Sequence, residues 1–230
     1  MNDNARRRAI DRLRSLGLLS GIAGVVSTLF FLAARLAEGP AADPTSPSVF
    51  SQANDLTTIV AMLALIPVSF ILWQLLPQDG RLWRWTVLAS AAMALLALSA
   101  MLMLTDAIDF QVQGATAVIC VAAVFRWVLL VSRRALLLPG ESQALWRGGV
   151  VLGLTVIIGM LIAAAGLLMP MGSTWQYLLI AMGGVPAVLC WLALPVWTIV
   201  LARRAFVSVA TVTQHMRRTP DLQRRPEIAA

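Results

Sequence analysis

Six long apolar runs divide this chain, at residues 16–37, 56–76, 85–105, 112–132, 148–169 and 176–202. A bilayer's hydrocarbon core is about 30 Å thick, and a helix rises ~1.5 Å per residue. Each run is therefore long enough to cross it. Inside hydrocarbon no water satisfies backbone N–H and C=O groups, so an isolated apolar run of this kind must be helical. The predicted fold is all-α: a polytopic, six-helix transmembrane bundle with short loops. Composition agrees. Only 13% of the 230 residues are charged, against about a quarter in soluble domains, and the mean hydropathy is +0.81.

The arginines add an orientation. With the first residues placed inside, Arg6, Arg7, Arg8, Arg12, Arg14, Arg81, Arg84, Arg126, Arg133, Arg134, Arg147, Arg203, Arg204, Arg217, Arg218, Arg224 and Arg225 lie on or toward one side. Only Arg35 lies on the other. The positive-inside rule reads this as N-in, C-in. Three parts follow: a basic N-terminal segment (1–15), the six-span domain (16–202) and a basic tail (203–230), disordered after about 219. No connection could hold a soluble domain. The first run could pass for a signal peptide, but it exceeds the ~7–15 apolar residues of a cleaved segment, so it is expected to remain as a helix.

Several chemistries drop out on composition. All 18 basic residues are arginine. Without lysine there is no Schiff base to retinal or pyridoxal phosphate. This usage also fits a GC-rich bacterial genome, and hence a bacterial cytoplasmic membrane. The one histidine, His215, is in the tail, so no bis-histidine haem or zinc site can form in the membrane. Cys120 and Cys190 fall at depths differing by roughly 9 Å, too far for a disulfide. The net charge of +7 comes from residues at helix ends, where topology and anionic lipid account for it, so nucleic acid is not an expected partner. No cofactor is expected.

The joints are legible. Asn54 or Asp55 is expected to cap the second helix after a proline-rich loop at 38–54. Pro77 should end that helix, and Pro139-Gly140 marks a turn. Asp106 and Asp109 share a face if helical, but Asp109 is better read as a cap for the fourth helix. Short connections predict three adjacent hairpins. Trp73, Trp83, Trp85, Trp127 and Trp146 gather toward one end and Trp175 and Tyr177 toward the other, as in an aromatic belt at headgroup depth.

Helix packing is signalled by small residues. Gly17 and Gly21 form a GxxxG pair with Gly24 beside it, and Gly149 and Gly153 form another. Such residues let helices approach closely in lipid, and their expected use is packing within the bundle. Pro67, Pro186 and Pro195 interrupt helices. The segment 182–186, with Gly183, Gly184 and Pro186, is the best candidate for a broken helix of the kind transporters place at a binding site.

Charge within the hydrocarbon is the usual pointer to function. No acidic residue lies inside the predicted spans, and Arg126 is the clear exception to their neutrality. Snorkelling toward the headgroups is its expected fate. Pairing with Asp79, with Glu141 or with backbone carbonyls freed by proline, or holding an anionic ligand or lipid headgroup, are the alternatives. Three functions stay open. A non-catalytic membrane subunit or regulator leads, contacting anionic lipid, a larger membrane complex or its own copies. A small uncoupled transporter of an apolar or anionic solute is second. An intramembrane enzyme is third, because no nucleophile–base pair or metal site can be assembled.

Overall fold

Capping groups and apolar runs together set six α-helices in a computed structural model of the chain: α1 (Asp3–Glu38), α2 (Val49–Leu75), α3 (Gly80–Leu104), α4 (Phe110–Ala135), α5 (Gln143–Leu167) and α6 (Thr174–Arg204). The structure describes residues 2–38, 48–77, 79–138 and 142–204, with the backbone alone at Asp3, Arg35, Glu38, Phe110 and Gln111. All six helices are long and apolar enough to cross a membrane.

Every helix starts before its apolar run, α1 and α2 by the widest margins. α1 begins at Asp3, so the basic leader is helical and not a separate segment. The cause is its inner face: Ala9, Ile10 and Leu13 are buried in the common core, while Arg7, Arg8 and Arg12 face outward. α2 begins at Val49. Its cap is Ser48, whose hydroxyl accepts from the Ser51 N–H at 3.2 Å. Asn54 and Asp55 are therefore not caps; they lie in the second turn of the helix. The expected Asp109 cap holds, and Asp79 caps α3 in the same way. Asp79 accepts from the Arg81 N–H at 3.0 Å, and Asp109 accepts from the Val112 N–H at 2.8 Å. Leu76 turns extended before Pro77, as a residue preceding proline should. Asp106 stands outside both helices with φ 54°, so it shares no helical face with Asp109. The turn expected at Pro139-Gly140, and everything after Arg204, lie outside the described residues.

Each helix packs on its neighbours in sequence, and α1 also packs on α6. The three hairpins thus close into a ring, a closure that short loops alone do not require. Both ends of the chain's described part, the α2–α3 and α4–α5 connections, and nearly all the arginines come to one end of the bundle. We call this the arginine-rich end.

Glycines hold three of the seams, and all of these contacts are within the bundle. A Cβ on Gly17 would lie 3.0 Å from the Ala202 Cβ, one on Gly21 2.9 Å from the Pro195 carbonyl oxygen, and one on Gly24 2.7 Å from the Pro195 ring. These three form the α1–α6 seam. On α5, Gly149 abuts Ser132, and a Cβ on Gly153 would sit 2.9 Å from the Phe125 carbonyl oxygen, which seats α5 on α4. Gly159 and Gly166 turn the other way, onto Gly183, Leu179 and Ile180 of α6.

Two expectations are overturned here. α6 is helical without interruption from Thr174 to Arg204, through both prolines. Gly183 is a place where two backbones meet, and that close contact with α5 spans the segment expected to break. The tryptophans also divide. Trp175 and Tyr177 are exposed, and Trp83 meets Trp73 in a tilted contact with ring centroids 4.6 Å apart. Trp127 and Trp146 are fully buried and belong to the core, not to a belt.

Candidate functional site

Arg126 lies nine residues before the end of α4. The buried α4 residues Val124, Val128, Val131 and Ala135 recur at helical spacing and mark the inner face. At 100° per residue Arg126 falls almost opposite them. It is nevertheless only half-exposed, because its guanidinium carbon sits over the Trp85 ring of α3, 5.6 Å from the centroid. This is cation–π range. Arg126 has no hydrogen bond or ion pair among the described residues. The expected partner Asp79 is engaged by Arg134 instead, the one ion pair among the described residues. Glu141 lies outside them.

A second polar group, missed in the sequence, sits near the opposite end. Asp55 is buried, at 9% exposure. Its carboxylate accepts from the Asn54 side-chain amide at 3.3 Å, and the Gln113 side chain of α4 is a second partner. Around it, the Ser27 hydroxyl of α1 bridges to Asn54 Oδ1 at 2.8 Å and to the Thr58 hydroxyl at 2.7 Å. Ser27, Thr28 and Thr58 also line a cavity of about 40 Å³ between α1, α2 and α6, room for a water molecule. The helix of Asp55 is long and apolar enough to cross a membrane, and Asp55 is a helical residue turned inward rather than a cap at a helix end. The reason is the early start of α2. Ser48 preceding Val49-Phe50 was the available signal.

The segment at Gly183, Gly184 and Pro186 does not join either group. Gly184 faces open space, beside a groove of about 350 Å³ lined by Ile180, Ala181, Gly184, Val185, Val188 and Leu189. All six residues are apolar and all belong to α6. Between this segment and α4 the bundle is filled: Phe125 and Trp191 meet with ring centroids 6.2 Å apart. Cys120 is buried, Cys190 is half-buried, and both are free thiols. No group of three or more metal-ligating side chains occurs among the described residues.

The pairing of Arg126 with Trp85 follows from the register of α3 on α4: Trp85 lies 21 residues before Asp106 and Arg126 17 residues after Asp109, so an antiparallel hairpin brings them to within about one turn of each other. Comparison with protein-family models, with curated proteins and with solved structures gave no match.

Proposed function

We propose that this chain is a non-catalytic subunit or regulator of a membrane assembly. In this reading it is embedded in a bacterial cytoplasmic membrane with both termini cytoplasmic. The observation that carries the reading is the filled interior. Phe125, Trp127, Trp146 and Trp191 occupy the space a solute path would need, and the larger groove beside Gly184 is apolar and opens outward. The basic end would sit against anionic lipid, at about 1 kcal/mol per arginine near the surface.

Asp55 favours a second reading, a small transporter, because intramembrane carboxylates commonly mark ion or proton paths. Solute flux across proteoliposomes separates the two. The subunit reading expects no flux of small anions or apolar solutes above protein-free vesicles, and migration of the chain from native membranes in an assembly larger than its own oligomer. Flux that is lost on Asp55→Asn would overturn it in favour of transport.

The orientation has its own test. Reporter fusions within residues 38–54 and after Arg204 should report opposite sides. Reports from one side would end the six-span reading.

A further inference from the structure

We infer that the lipid-facing seam between α3 and α4 binds the phosphate of an anionic phospholipid, with Arg126 as its principal ligand and Trp85 as the platform that aims it. The inference rests on the membrane reading above.

Arg126 offers five N–H donors and none is used within the described residues. Counting from Arg134, it is eight residues deeper along α4, about 12 Å. At that depth unsatisfied donors are strongly disfavoured, and no water is at hand. Snorkelling alone is a poor remedy on this helix. Side chains lean toward their helix N-terminus, and α4 runs toward the arginine-rich end. The Arg126 stem therefore sets out away from the nearer headgroups. Its guanidinium carbon sits over the Trp85 ring, 5.6 Å from the centroid, and the residue remains partly exposed.

The surroundings select the ligand's charge. Arg81 is exposed one turn before Trp85 on the same face of α3, and Arg133 is exposed two turns after Arg126 on the same face of α4. Cations thus line the way from the surface down to Arg126. The nearby Asp79 carboxylate is offset by Arg134. A choline headgroup would meet these cations, and the Trp85 ring that could have received it is already covered. A phosphate with no cation of its own fits. Leu88, exposed one turn beyond Trp85, continues the seam as an apolar surface suited to acyl chain, which a free phosphate could not use.

The test uses the purified full chain in mild detergent, titrated with phosphatidylglycerol or phosphatidylcholine and read by native mass spectrometry. Wild type should hold one phosphatidylglycerol more tightly than phosphatidylcholine. Arg126→Leu should weaken it by about tenfold or more, the effect of losing a charge-assisted pair. Arg147→Leu, which removes an exposed arginine on α5, should leave it intact. Trp85→Leu keeps the charge and removes the platform, so it should weaken binding severalfold; it also serves if Arg126→Leu fails to fold by circular dichroism. Unchanged binding in Arg126→Leu, or unchanged binding in Trp85→Leu, would overturn the site. Equal affinity for the two lipids would overturn the anionic assignment, and displacement by millimolar inorganic phosphate would overturn the lipid source. Extraction of wild type from membranes by alkaline carbonate would instead defeat the membrane reading itself.

Discussion

The two ends of this bundle are held together by different means. Toward the arginine-rich end, large side chains interlock: Leu13, Leu82, Phe125, Trp127, Leu129, Trp146 and Leu201 are all essentially inaccessible. Toward the opposite end, residues 25–38, 48–60, 101–119 and 157–193 contribute only Ala34, Asp55, Gly159, Gly166 and Gly183 as buried residues among those described. There the α5–α6 hairpin is secured by backbone approach, and α1 and α2 by the Ser27–Asn54–Thr58 hydrogen bonds. Side-chain burial makes one end a single cooperative unit. The other end is a set of paired helices that can loosen pair by pair, since local stability follows local burial.

The widest contrast should come from tryptophan. Trp127→Ala removes a fully buried ring, so about 3–5 kcal/mol is expected, or a fall in melting temperature of roughly 6–20 °C. Trp175→Ala, at the exposed opposite end, should leave the melting temperature within about 2 °C. Equal effects would erase the distinction between the ends.

Glycine sharpens the same comparison. Gly153→Leu drives a side chain into the Phe125 backbone and the Leu129 side chain within the cooperative unit, and a loss of about 1–3 kcal/mol or more should appear in global melting. Gly183→Leu also meets backbone, of Gly159 and Ala163, but in the loose half. Its effect should appear first as faster hydrogen exchange confined to α5 and α6 near residues 157–193. A global loss equal to that of Gly153→Leu would mean that both ends melt together.

Smaller effects are expected at the two charged groups. Asp55→Asn keeps the shape of the carboxylate and removes a buried charge. A rise in melting temperature of about 2–4 °C, near 1 kcal/mol, is expected. A fall would mean that the hydrogen bonds accepted by the carboxylate outweigh the cost of burying its charge. Arg126→Leu, in detergent free of added lipid, should shift melting by less than about 4 °C, because nothing described in the bundle depends on that guanidinium beyond its contact with Trp85.

Sequence reasoning reached the six helices because apolar length alone specifies them in this class of chain. It did not reach which face of each helix turns inward. In a soluble protein the outward face is polar and the period shows; here both faces are apolar, so Trp127 and Trp146 looked like anchors near a surface. Small residues escape this ambiguity, since what a glycine stripe offers is close backbone approach, and Gly17, Gly21, Gly24, Gly149 and Gly153 all sit in helix–helix seams. Helix ends failed for a related reason. The leader before Leu16 and the turn before Leu56 are polar enough to resemble loops, yet Ala9, Leu13 and Asp55 face inward at helical spacing. Arg126 stood out by its charge; its indole neighbour emerged only with the register of α3 on α4.

The α1–α6 seam has a consequence for synthesis. The face bearing Gly17, Gly21 and Gly24 is made first, and its mate on α6, Pro195 to Ala202, is made last. Until the ribosome has delivered nearly the whole domain, that grooved face must wait with no α6 to receive. A product truncated before α6 would keep it open for good, displaying a small-residue surface with no helix seated on it.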